Sequence, residues 1–170
     1  SRDKLDAGLM SFYLFNIVNL QVGEGIFQAA GVPHAYLRGQ NIELMACSDN
    51  VIRGGLTSKH VDIEQLLKII DCSEIDPQII APAPHNQVYT YPTPIADFAL
   101  SNMPYAKNTE ISDRTLNGTI LLVMTGEISL EAAQQKLTLK QGQAAFIEAD
   151  TDYRVHGMQE GYAVLAGLPI

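Results

Sequence analysis

The chain is poor in basic residues, in cysteine and in long apolar runs, and each shortage excludes something. Eleven Lys and Arg stand against nineteen Asp and Glu, giving a formal net charge of −8 over 170 residues. A surface of that sign lacks the basic face that nucleic acid or an anionic membrane requires, so neither partner is expected. An anionic ligand remains open, because a few local cations override a net charge. The two cysteines, Cys47 and Cys72, show no CxxC or Cys/His spacing. They read as free thiols, and the expected compartment is the reducing cytoplasm. No apolar run approaches the roughly 20 residues of a membrane span, and no stretch reads as a signal peptide. The chain opens at Ser1 and passes through SRDKLDAGLMSFYLFNIVNL into an apolar run with little preamble. That opening reads as the middle of a longer protein.

What is present is mostly β pattern. Hydrophobic residues make up 46% and charged residues 18%, which suits a globular fold of one large or two small domains. Short apolar or alternating runs bounded by Gly, Pro and Asn predict strands at Ser11–Leu20, Gly25–Ala30, Ala35–Leu37, Ile42–Cys47, Ala96–Met103, Ile120–Thr125, Gln135–Leu139, Ala144–Ala149 and Tyr162–Leu168. One segment differs: VDIEQLLKIID carries helical apolar spacing, and Asp62 followed by Gln65 imitates a capping box, so Val61–Asp71 is predicted helical. Asp76–Pro94, with five prolines, reads as a connector. The expected organisation is therefore residues 1–75, a Pro-rich connector at 76–94, and a β domain at 95–170.

Gly23 to Lys59 is the densest stretch in polar side chains set among apolar ones. Glycines on both sides of a short run permit sharp turns, and alternation along the next strand aims His34 inward. A tight turn at Gly39-Gln40 would set Tyr36 beside Glu43 and His34 beside Met45. His34 and Tyr36 then share a face with Glu43, as one wall of a cavity. Ser48-Asp49-Asn50 is strong turn chemistry, and Arg53 is close enough to Asp49 for a charge-assisted pair. Gly54 and Gly55 free the backbone to carry Lys59 back over the site. Bland readings stand beside these. A lone His among apolar strands is commonly a core histidine with one hydrogen bond. Glu43 in an apolar strand needs a function or a partner, because a buried carboxylate alone is costly. His60, His85 and His156 have no partners at metal spacing and read as surface or structural.

The segment VPHAYLRGQNIELMACSDNVIRGGLTSKHVDI resembles the signature region of type I mannose-6-phosphate isomerases, zinc enzymes of the cupin class. IADFALSNMPY and ILLVMTGEISL…LTLKQGQAAFIEAD resemble the C-terminal β domain of that family. The resemblance implies a mainly β fold: a cupin-type half barrel, one short helix, then a second jelly-roll or cupin-like domain without metal. It implies aldose–ketose isomerisation between mannose 6-phosphate and fructose 6-phosphate, so the expected partner is a phosphorylated hexose. By the same resemblance His34 matches a zinc ligand and Arg53 an active-site arginine. Glu43 is the candidate proton carrier, and Tyr36, Asp49 and Lys59 match residues lining the substrate cavity. Ser58 stands where proline is usual before that lysine, and Gly54 where alanine is common after the arginine. The other zinc ligands of the family, a Gln-x-His pair and a glutamate, have no counterpart in these 170 residues. Since catalytic zinc takes three protein ligands and a water, the expectation is one zinc per full-length enzyme. The site in this chain is then incomplete and inactive alone, the remainder belonging to an N-terminal portion of the same protein. The alternative is a non-catalytic cupin-like sugar-binding or regulatory module.

Overall fold

The computed structural model describes residues 5–48, 50–81 and 88–169. Asp49 and His85, both singled out above, lie outside the described residues. The chain divides into two compact units, one formed by most residues before Ile80 and the other by most residues from Ile80 onward. Gly23–Gly25 and Leu44–Ala46 group with the second. No helix among the described residues is long and apolar enough to cross a membrane.

The first unit opens with a 3₁₀ turn, Ala7–Met10, running into α1, Ser11–Leu14. A strand was expected from Ser11. Local hydrogen bonds decide otherwise: the Asp6 carboxylate accepts from Gly8 N at 2.8 Å, and Ser11 Oγ donates to Gly8 O at 2.6 Å. These caps satisfy donors that a strand would leave waiting for a partner. β1 is Gly25–Ile26, much shorter than the predicted run. The segments Ala35–Leu37 and Ile42–Cys47 form no ladder. Extended backbone becomes a strand only where a neighbour takes its N–H and C=O groups, and the described residues bring none to these segments. The predicted helix is present as α2, Ile63–Ile69, with Asp62 at its N-cap accepting from Gln65 N at 3.0 Å.

The second unit is a two-sheet β sandwich. After β2 (Ile79–Ile80) and β3 (Tyr89–Thr90) come β4 (Ala99–Tyr105), β5 (Glu110–Thr115), β6 (Thr119–Thr125) and β7 (Glu127–Ala132). β8 (Gln135–Lys140), β9 (Ala144–Ile147), β10 (Thr151–Gly157) and β11 (Gly161–Gly167) complete it. One sheet runs β5-β10-β7-β8 and the other β3-β4-β11-β6-β9, which is the strand order of a jelly roll with β3 added at one edge. Alternation builds the core. In β6, Leu121 and Val123 are fully buried; in β10, Tyr153 and Val155 turn inward while Asp152, Arg154 and His156 face solvent. Met103, Ile128 and Ala163 close the same cluster at 0% exposure. Each large apolar side chain so buried contributes about 1.5–3 kcal/mol relative to exposure. Gly126 makes the turn from β6 to β7 at φ +82°, where an added Cβ would lie 2.6 Å from Glu160 O. Only glycine fits there.

Candidate active site

The site residues are set up by a turn. Gly31 has φ +81°, and a Cβ there would meet Ile69 O at 2.6 Å. Its carbonyl accepts from Asp71 N at 2.8 Å, so this turn is tied to the end of α2. Three residues later His34 Nδ1 sits 3.0 Å from Val32 O. A carbonyl oxygen only accepts, so Nδ1 is the donor in this contact and Nε2 is the nitrogen left to serve as a ligand. That is the tautomer a metal-binding imidazole needs, with a backbone carbonyl as the outer partner.

His34 and Tyr36 make an edge-to-face ring contact at 6.2 Å and 67°. Burial of the phenol, its hydrogen bond to Glu43 and the Glu43 charge all push the Tyr36 pKa up, while a bond to Asn41 opposes them. A phenol that keeps its proton donates a hydrogen bond to the carboxylate. The turn expected at Gly39-Gln40, where Gly39 has φ +115°, thus brings Tyr36 to Glu43 even without a strand ladder. His34, Tyr36 and Glu43 are brought together, with Tyr36 in the middle. They are exposed rather than walled in: Tyr36 is 64% accessible. The expectation of a buried carboxylate at Glu43 is corrected, because among the described residues no second layer covers its extended segment.

Arg53 and Lys59 are also exposed, and among the described residues neither side chain is held by a hydrogen bond or ion pair. The expected Asp49–Arg53 pair involves a residue outside the described ones. The loop between these two cations is nevertheless anchored. Asp6 accepts from Leu56 N at 2.9 Å, and at Gly55, with φ +139°, an added Cβ would lie 3.0 Å from Asp6 Oδ1 and 3.1 Å from Gly8 Cα. Sequence reasoning missed Asp6, which lies 50 residues from its partner with no local signal. Among the described residues no group of three or more His, Cys, Asp or Glu converges as a metal set. His34 fits zinc as one ligand by its tautomer. The described residues do not fit a complete site.

No protein-family model matches the chain. It is 40% identical to the mannose-6-phosphate isomerase of Salmonella typhimurium over 150 residues, which is 85% of this chain and 37% of that protein. It is 38% identical to the Escherichia coli mannose-6-phosphate isomerase over 148 residues, again 85% and 37%. The rat mannose-6-phosphate isomerase is 35% identical over 156 residues. Among solved structures, Salmonella typhimurium mannose 6-phosphate isomerase bound to its substrate and to zinc superposes with a TM-score of 0.61 at 32% identity, covering 74% of this chain and 32% of that one. A lysine-to-alanine mutant of the Salmonella phosphomannose isomerase superposes with a TM-score of 0.73 at 28% identity over 97% of this chain and 43% of that one. This chain therefore resembles a portion of the mannose-6-phosphate isomerases, and spans about 37% of the length of the curated relatives it matches.

Proposed function

We propose, from this likeness and from the His34–Tyr36–Glu43 arrangement, that the chain supplies one wall of a mannose-6-phosphate isomerase active site. The single observation that carries it is Tyr36, which touches the imidazole on one side and the carboxylate on the other. The reaction moves a proton between the two carbons that exchange carbonyl and hydroxyl, through a cis-enediol. Glu43 is the proton carrier, and Tyr36 holds its carboxylate in place by O–H donation. The Arg53 guanidinium faces the negative charge that develops on the sugar oxygens. Lys59, on the loop tethered to Asp6, contacts the sugar or its phosphate. His34 would hold zinc through Nε2; when bound, zinc polarises and orients sugar oxygens. One imidazole does not hold catalytic zinc, so activity also needs ligands besides His34. Assaying the full-length protein for interconversion of mannose 6-phosphate and fructose 6-phosphate tests the reading. Zinc-dependent turnover is the expected result, and sugar binding without turnover would replace it by a binding module.

A further inference from the structure

The outer face of the sheet β5-β10-β7-β8 carries a cleft of about 260 Å³ lined by Glu110, Ser129, Glu131, Lys136, Arg154 and His156. Strand register explains the grouping. His156 stands between Glu110 on β5 and Ser129 on β7, while Arg154 stands beside Glu131, which in turn faces Lys136 on β8. Two adjacent cross-strand rows of polar side chains thus form the floor and rim.

The charges in the cleft are cross-linked. Arg154 Nε lies 3.2 Å from Glu110 Oε1, and Lys136 Nζ lies 2.6 Å from Glu131 Oε1. Lys136, with smaller help from Arg154 and His156, holds the Glu131 carboxyl below its ordinary range. Exposed ion pairs of this kind are common and alone mark nothing. Ser129 is different. Its neighbours Ile128 and Leu130 point into the core, so its own side chain turns to the outer face, yet it is only 5% exposed. Its Oγ has no hydrogen-bond partner among the described residues. A hydroxyl buried at the floor of a polar cleft, with a donor and lone pairs unspent, is costly unless something in the cleft pairs with it.

We infer that this cleft is a binding site for a neutral polyhydroxylated molecule, a sugar or polyol. Two carboxylates balance two fixed cations there, so a neutral ligand leaves no charge uncompensated. An anion would meet Glu110 and Glu131, within a chain of net charge −8. The rim alternates acceptors (Glu110, Glu131) with donors (Arg154, Lys136), which is the pattern adjacent hydroxyls require, each giving one hydrogen bond and taking another. Ser129 supplies the partner at depth. The site lies in the jelly roll and uses none of the residues assigned to isomerisation.

The test uses the full chain and D-mannose as probe, with inorganic phosphate as the anionic comparison, followed by backbone amide NMR. D-Mannose is expected to shift the amides of Ser129, Glu131, Arg154 and His156 saturably in the millimolar range, and phosphate to leave them unmoved. Ser129→Ala and Arg154→Gln are each expected to weaken binding about five- to tenfold, the loss of one hydrogen bond. Arg53→Ala should bind as the parent does, which separates this site from the isomerase reading. If Ser129→Ala does not fold, Arg154→Gln decides. No saturable shift, shifts produced by phosphate, or undiminished binding in a folded variant would each overturn the proposal.

Discussion

The imidazole of His34 and the phenol of Tyr36 meet edge to face, 6.2 Å apart at 67°. The contact positions the Tyr36 hydroxyl as donor to Glu43. Ring and hydroxyl are separable. On the proposed isomerase reading, Tyr36→Phe keeps the ring contact and removes the donor, so kcat should fall about 10- to 100-fold, the range of a hydrogen bond to a charged group. KM should change little. Steady-state kinetics of the Phe variant check this; an unchanged kcat would reduce Tyr36 to a packing residue.

His34 offers Nε2 because Val32 O fixes the proton on Nδ1. On the proposed isomerase reading, His34→Ala should lower zinc content and activity together. The loss should exceed the about 10- to 100-fold typical of disturbing an outer partner of a metal ligand, with partial rescue by excess zinc. Metal analysis paired with activity measures it, and full zinc content in the variant would remove His34 from the ligand set.

Neighbouring residues of β6 provide an internal control for the core. Leu121 is fully buried, whereas Ile120 is 51% exposed on the other face of the sheet. Leu121→Ala should destabilise the jelly roll by about 2–5 kcal/mol, and Ile120→Ala by no more than about 0.5 kcal/mol. Denaturant unfolding of both variants reads the difference.

Burial, with the Asp113 charge adding to it, pushes the Tyr153 phenol up to about 12 from an ordinary 10.0. The folded state therefore keeps this proton where the unfolded chain has released it. The stability this provides is complete below pH 10.0 and is lost progressively as the pH rises towards about 12. Unfolding midpoints should fall across that window, and Tyr153→Phe should flatten the decline. A Phe variant with the same alkaline slope as the parent would assign the loss to another group.

Apolar alternation made β6, β8, β9 and β11 legible from sequence to within a few residues. β5 was not: in EISDRT only Ile111 is apolar, so the strand is identified by its neighbour β10, which borders it along six pairs. In β10 itself the alternation of TDYRVHG was present but obscured by Asp152, Arg154 and His156 on the outer face. Within the site, Tyr36 and Glu43 were legible as partners because a turn at Gly39 sets them equidistant from its centre. The tether from Asp6 to Leu56 was not, since its ends are 50 residues apart and only the folded chain joins them. The same holds for the cleft around Ser129, whose members come from four strands.

Arg53 gives the most direct test of the isomerase reading, because its charge is assigned to the transition state and to nothing else. Steady-state interconversion of mannose 6-phosphate and fructose 6-phosphate should show kcat for Arg53→Ala reduced about 10²–10³-fold, with KM within a few-fold of the parent. Near-parental turnover with a raised KM would contradict the account and make Arg53 a phosphate anchor.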